Sequence, residues 1–185
     1  KPFDDTKLVP LEKIESKGPD MRVTLEVKMK EGRKHGKPKG LINGTAYVAP
    51  KTATMLTMTA KNTTNPMDAG TYGRNVNAVT APYNSMVEMT ILNLSDDVHP
   101  FHMHGTKFQV VQRANGTKGE MPKMPEVNEE QKNPIRRDTV RLEAWGSVTI
   151  RFRAVNPGAW ILHCHMDWHL AAGMAMVVVQ APEEA

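Results

Sequence analysis

Two short segments contain six of the seven histidines of this 185-residue chain. Residues 99–105 read HPFHMHG, and residues 163–169 read HCHMDWH. The only cysteine, Cys164, stands between two histidines of the second segment. If both segments serve one metal-binding function, the fold has to bring them together. This requirement constrains the fold more than any other feature of the sequence.

The patterning between these segments is that of strands and turns. Residues 21–29, 86–92 and 147–153 alternate apolar and polar side chains with the two-residue period of a half-buried strand. Glycines punctuate the gaps, and no long segment shows a helical period. Residues 167–172 (DWHLAA) predict a short helix before Gly173, and residues 173–180 (GMAMVVVQ) predict a buried final strand. The expected fold class is all-β, as a sandwich or barrel.

The length favours one domain, which we place at residues 21–185, after a linker or lead-in segment at residues 1–20. Residues 30–40 are charged and glycine-rich, whereas residues 115–134 contain three prolines and little periodicity. We expect both segments to be surface loops. His35 lies in the first of them and is expected to be solvated.

Composition excludes several classes of function. The formal charge of +4 comes from scattered residues, without the basic stripe or recognisable module of a nucleic-acid-binding protein. No apolar stretch approaches the ~20 residues of a membrane span, and a single cysteine excludes an internal disulfide. Four N-x-[ST] sequons, at Asn43, Asn62, Asn93 and Asn115, favour a secreted or extracellular protein.

Strand alternation separates the metal-ligating side chains into two groups. His163 and His165 are expected to point to one face and Cys164 to the other. A soft thiolate, two imidazoles and a weak axial thioether form a blue-copper site, for which the candidates are His99, Cys164, His169 and Met174. The remaining candidates would form a separate all-imidazole patch able to hold copper or zinc: His102, His104, His163 and His165.

These motifs resemble those of a known family. HPFHMHG together with HCHMDWHLAAGM is similar to the C-terminal, third cupredoxin domain of multicopper oxidases, the laccases and ferroxidases. NPIRRDTV and NPGAWILHCH resemble the fungal members in particular. The resemblance implies a cupredoxin-like Greek-key β-sandwich that binds copper. It implies type 1 copper ligands at His99, Cys164, His169 and Met174, a type 2 ligand at His102, and type 3 ligands at His104, His163 and His165.

The implied function is that of an oxidoreductase domain. Single electrons from a phenol, an aromatic amine or a metal ion would pass through Cys164 and its flanking histidines toward a trinuclear oxygen-reducing site. That site takes eight histidines in the family, and only half of them are present here, so this chain alone is expected to be an electron carrier or a weak oxidase. The missing half would come from an N-terminal cupredoxin domain or from symmetry-related chains.

Three acidic residues are further candidates. Asp167 matches the acidic position that the family associates with proton delivery, although a surface charge at the start of the short helix explains it equally well. Asp96 and Asp97 precede His99, and could either help to bind a cationic electron donor or form a solvated turn. A non-redox metal-binding or storage domain remains an alternative to the oxidase function.

Overall fold

The computed structural model describes residues 8–32 and 36–185. His35 therefore lies outside the described residues, as do the first seven residues of the lead-in segment. No helix within the described ranges is long and apolar enough to cross a membrane.

Strands dominate the described chain. They are β1 (Met21–Lys30), β2 (Lys39–Ile42), β3 (Ala78–Ala81), β4 (Met86–Asn93), β5 (His99–Met103), β6 (Phe108–Ala114), β7 (Arg136–Arg137), β8 (Thr139–Leu142), β9 (Ser147–Arg153), β10 (Gly158–Cys164) and β11 (Ala175–Gln180). The three segments with an alternating pattern form β1, β4 and β9, and the expected buried final strand is β11.

The strands form two sheets that pack face to face. One has the order β2-β1-β4-β9-β6-β7 and the other β3-β11-β10-β5-β8. A single buried cluster joins them, with members such as Leu25, Ile91 and Ile150 from the first sheet and Phe101, Leu162 and Val178 from the second. Such a shared apolar layer is what two half-buried sheets require. The prediction of an all-β sandwich is confirmed.

Two short helices accompany the sheets, α1 (Thr54–Thr59) and α2 (Asp167–Ala171), together with 3₁₀ turns at Ala69–Tyr72, Arg74–Val76 and Pro182–Glu184. The predicted helix is α2. Sequence patterning missed α1 because it has only six residues and no side-chain hydrogen bond at its N-cap, Ala53. The buried Met58 of α1 packs with Tyr72, Val76, Val177 and Val179 in a second apolar cluster.

The lead-in segment and the long loop at residues 115–134 are held on the sheet by one buried cation. Arg151 on β9 is fully buried, and its Nε and Nη2 donate to Glu88 Oε2 at 2.8 and 2.7 Å. Its Nη1 reaches Ser16 Oγ, the Lys17 carbonyl and the Glu129 carbonyl at 3.3, 3.2 and 2.7 Å. Ser16 also pairs with Gln131 through a backbone bridge. These bonds join two irregular segments to the centre of the first sheet.

Replacing Arg151 should destabilise the fold strongly. Arg151→Met leaves the buried Glu88 carboxylate without its main partner, and breaking a buried ion pair in this way costs about 3–5 kcal/mol. Arg153→Met is the matched control, since Arg153 lies two residues further along the same strand and is exposed. Denaturant unfolding measures both variants. Equal losses in the two would contradict the role given to Arg151.

Candidate metal centre

The two histidine segments meet because β5 and β10 are neighbouring antiparallel strands. His163 lies opposite His102, and Cys164 lies opposite Phe101. Phe101 and Cys164 are fully buried between the sheets, whereas His102 and His165 lie on the outer face. The predicted separation of Cys164 from its flanking histidines is therefore present in the structure.

Three donor atoms converge inside the sandwich. Cys164 Sγ lies 3.6 Å from His99 Nδ1 and 3.3 Å from His169 Nδ1, and the two Nδ1 atoms are 3.1 Å apart. All three residues are fully buried, and their ligand atoms lie within 4.8 Å of one another. We call this set the His₂Cys group. Convergence of one thiol and two imidazoles in the core fits a soft metal site.

Secondary structure explains how the His₂Cys group forms. His99 begins β5, Cys164 ends β10, and His169 returns to the same place because the chain turns through α2. Two backbone hydrogen bonds hold Met174 next to this turn. Met174 N donates to the His169 carbonyl at 3.0 Å, and Cys164 N donates to the Met174 carbonyl at 3.1 Å. Met174 is fully buried and belongs to the same apolar cluster as Cys164.

Gly40 on β2 holds the Met174 segment in place. Gly40 N donates to the Ala172 carbonyl at 2.9 Å. A Cβ added at Gly40 would lie 2.7 Å from Met174 Cβ and 2.9 Å from Met174 N. Only glycine permits this close approach, because the atoms it meets belong to the backbone or are fixed to it. No local feature of the sequence distinguishes Gly40 from a turn glycine.

Burial controls the charge of the His₂Cys group. It lowers the pKa of His99 to about 4, and the neighbouring His169 acts in the same direction. Burial raises the pKa of the Cys164 thiol to about 11, opposed by a hydrogen bond from the Met166 backbone and assisted by the Asp97 carboxylate. The pKa of His169 is also lowered by burial.

Without a cation, the His₂Cys group is therefore two neutral imidazoles and a thiol. A metal cation would supply the charge that a buried thiolate needs, and neutral imidazoles are already in the form that binds a metal. One sulfur and two imidazole nitrogens, with the Met174 thioether in the same cluster, fit copper by donor type.

The other four histidines form the patch predicted from alternation. Ring centroids of His102, His104, His163 and His165 lie 4.9–5.6 Å apart in the observed pairs. His104 Nε2 lies 3.2 Å from His163 Nε2. Burial, followed by the neighbouring histidines, lowers the pKa of His104. Burial also lowers that of His163, partly opposed by a hydrogen bond to the Cys164 backbone. These lowered pKa values favour the neutral, metal-binding form of His104 and His163.

Two rings of the imidazole patch are oriented by backbone carbonyls. His102 Nδ1 lies 2.9 Å from the Asp138 carbonyl oxygen, and His163 Nδ1 lies 3.0 Å from that of Cys164. A carbonyl only accepts, so each Nδ1 donates and each Nε2 keeps its lone pair for a metal or a partner. His102 and His104 line an open cleft of about 400 Å³, and Lys107 and Trp160 also line this cleft.

The acidic candidates occupy different positions. Asp167 is exposed in the first turn of α2, where a carboxylate is favourable to the helix, and its proton-delivery role stays a prediction. Asp96 accepts from Trp145 Nε1 at 2.9 Å and pairs with Lys118 at 3.3 Å, and these two contacts lower its pKa. Asp97 is exposed and acts electrostatically on both Cys164 and His169.

Comparison with known proteins decides the family. A sequence profile described as multicopper oxidase matches residues 47–184, which include every histidine and cysteine placed above. The chain belongs to the multicopper oxidase family. Copper is accordingly its cofactor, and the expected cupredoxin-like sandwich is confirmed by the structural similarity of family members.

Two individual relatives are multicopper oxidases whose names refer to iron. The chain is 37% identical to the iron transport multicopper oxidase FET3 of Kluyveromyces lactis, covering 98% of this chain and 30% of that protein. It is also 37% identical to the iron multicopper oxidase fer1 of Mycosarcoma maydis, over 98% of this chain and 29% of that one. The chain thus spans about a third of the length of these curated relatives.

Solved structures of a multicopper oxidase and a laccase are also similar to this chain. The crystal structure of Fet3p, a multicopper oxidase that functions in iron import, matches with a TM-score of 0.89 and 33% identity, covering 98% of this chain and 35% of that chain. Laccase from Botrytis aclada matches with a TM-score of 0.71 and 26% identity, covering 95% and 31%.

Substitution of Gly40 tests how the Met174 segment is held. Gly40→Ala should cost about 1–3 kcal/mol, because the new methyl group overpacks against a backbone that cannot move aside. It should also displace Met174 and weaken copper binding. Gly18→Ala is the control, since its Cβ would meet only the mobile end of the Glu129 side chain. Unfolding of the metal-free protein and a copper titration measure the two effects. A Gly40→Ala variant indistinguishable from Gly18→Ala would contradict the close-packing role.

Proposed function

We propose that this chain is the third, C-terminal cupredoxin domain of a fungal-type multicopper oxidase, with the domain at residues 21–185 after a lead-in segment at residues 1–20. In this proposal, His99, Cys164, His169 and Met174 hold a type 1 copper that accepts single electrons from a reducing substrate. The observation that carries it is the buried His₂Cys group, in which three donor atoms converge within 4.8 Å.

The chemistry of the residues supports an electron-transfer role. Copper bound by a thiolate and two imidazoles exchanges one electron at a time, with the site's geometry and surroundings tuning its potential. Here the ligands belong to two adjacent strands and to the turn after α2, which backbone hydrogen bonds hold against β10. The site therefore resists rearrangement. Cys164 is bonded directly to His163 and His165, which gives a short covalent connection from the buried site to the imidazole patch.

The imidazole patch is proposed to be half of a trinuclear oxygen-reducing site, with His102 as a type 2 ligand and His104, His163 and His165 as type 3 ligands. The open side of the patch, next to His104 and Trp160, leaves room for ligands from elsewhere. An N-terminal cupredoxin domain or a symmetry-related chain would supply them, in keeping with relatives about three times as long.

We propose iron(II) as the electron donor, because the similar proteins are named as an iron transport multicopper oxidase and an iron multicopper oxidase. Phenols and aromatic amines are the alternative donors. Between the two acidic candidates, Asp97 is better placed to attract a cation. Asp96 already binds Trp145 and Lys118, whereas the Asp97 carboxylate acts on Cys164 and His169.

A secreted or extracellular location is also proposed. Three of the four sequon asparagines, Asn43, Asn62 and Asn115, are exposed and accessible to glycosylation. The fourth, Asn93, is fully buried, so its sequon cannot be used in the folded chain.

Copper titration of the metal-free protein tests the type 1 site. We expect an intense blue absorption band from the copper–thiolate bond, and its loss in Cys164→Ala. A metal count above one, reduced in His104→Ala without loss of the blue band, would show that the imidazole patch fills separately. Copper uptake without a blue band would contradict the electron-transfer proposal and favour a non-redox metal-binding or storage domain.

Reaction with iron(II) tests the donor. In the absence of oxygen, iron(II) should bleach the blue band, and Asp97→Asn should slow bleaching roughly tenfold at low salt because a carboxylate that attracts the cation is lost. The difference should shrink as ionic strength rises. Asp96→Asn is the control and should change the rate less, and uncharged hydroquinone should not distinguish the variants. Equal rates for Asp97→Asn and the unmodified chain would exclude Asp97 from donor binding.

A further inference from the structure

Two buried polar side chains lie behind His99, on the side away from Cys164. Asn93 ends β4 and is fully buried, and Ser95 follows it with a relative exposure of 8%. Buried polar groups of this kind are costly unless they are hydrogen-bonded, so their bonding pattern is informative. In the sequence, Asn93 and Ser95 stand out only as the first and third residues of an N-glycosylation sequon.

The Asn93 amide has only one orientation that satisfies its partners. Its Nδ2 lies 2.7 Å from the Asp97 carbonyl oxygen and 2.9 Å from the Glu143 carbonyl oxygen. Both partners only accept, so the NH₂ group must face them. Asn93 Oδ1 consequently faces Ser95 and accepts from its backbone N at 3.1 Å and from its hydroxyl at 2.6 Å.

This orientation determines the protonation of His99. The Ser95 hydroxyl has one proton, and that proton is donated to Asn93 Oδ1. Toward His99 Nε2, which lies 2.9 Å away, the hydroxyl oxygen can only accept. Nε2 of the neutral imidazole therefore carries the proton, and Nδ1 has the free lone pair. Nδ1 is the atom that faces Cys164 Sγ and His169 Nδ1.

We propose that Ser95 and Asn93 are positioning residues that fix the tautomer and ring orientation of His99 for copper binding at Nδ1. The inference rests on the proposed function, in which His99 is a type 1 ligand. The arrangement acts on only one of the two imidazoles, because His169 Nε2 is buried without a hydrogen-bond partner in the part of the chain that the structure describes. Ser95 and Asn93 therefore act on His99 and not on His169.

Removal of the Ser95 hydroxyl should change the tautomer as well as the affinity. In Ser95→Ala, the Nε2–H group of His99 would be buried without an acceptor, which is energetically unfavourable. The Nδ1–H tautomer should therefore become more populated, because Cys164 Sγ and His169 Nδ1 lie close enough to accept from Nδ1. A hydroxyl that only stabilises the loop at residues 94–98 would not affect this equilibrium. The tautomer therefore distinguishes positioning from a purely structural role.

The experiment uses the 185-residue chain, Ser95→Ala and a matched control, Ser147→Ala. Ser147 is also buried, and its hydroxyl has no hydrogen-bond partner among the described residues. Long-range ¹⁵N–¹H NMR of the metal-free proteins reports which nitrogen of His99 is protonated. We expect Nε2–H in the unmodified chain and in Ser147→Ala, and a shift toward Nδ1–H in Ser95→Ala. Copper(II) affinity, measured by competition, should fall about 10–100-fold in Ser95→Ala only.

Each outcome decides the inference. An Nδ1–H tautomer in the unmodified chain, or a Ser95→Ala variant that matches Ser147→Ala in both tautomer and affinity, would overturn it. If the tautomer shifts as expected but no variant or unmodified chain gives a blue band with copper, the positioning of His99 stands and the type 1 function fails.

Discussion

The pairing of β5 with β10 is the interaction on which the functional architecture depends. Antiparallel register places His163 opposite His102 and Cys164 opposite Phe101. Because side chains alternate across a strand, the same register assigns the thiol to the apolar interior and four imidazoles to the outer side. A slip of one residue would exchange these environments, so the two metal-binding groups depend on a single register. Burial of Phe101 and Cys164 in the shared core holds that register.

The apolar interior then determines the chemistry of the buried group. Desolvation keeps His99 neutral and raises the pKa of the Cys164 thiol. The thiol is consequently a poor nucleophile in the metal-free protein and becomes a thiolate only when a cation compensates its charge. In the imidazole patch, His104 and His165 are exposed, and backbone carbonyls orient the rings of His102 and His163. One strand pair thus supports a dry, rigid site and a wetter site that remains open to further ligands.

Distant segments complete the buried site. Gly40 approaches the Met174 backbone from β2, and the Asn93–Ser95 pair reaches His99 from the end of β4. Elsewhere in the first sheet, Arg151 binds both the lead-in segment and the long loop. These contacts involve ordinary residues whose importance comes from where the fold brings them.

The sequence by itself determined the fold class, the strands β1, β4, β9 and β11, the helix α2 and the division of the histidines into two groups. These features follow from local rules, since alternation and ligand type are properties of neighbouring residues. Sequence patterning missed α1, whose six residues carry too little periodicity. Only the tertiary structure decided that Asp96 is already paired, that the Asn93 sequon is buried, and that Gly40 and Ser95 support the site. Those assignments depend on distances between segments remote in the chain, which packing of the two sheets sets and no local pattern records.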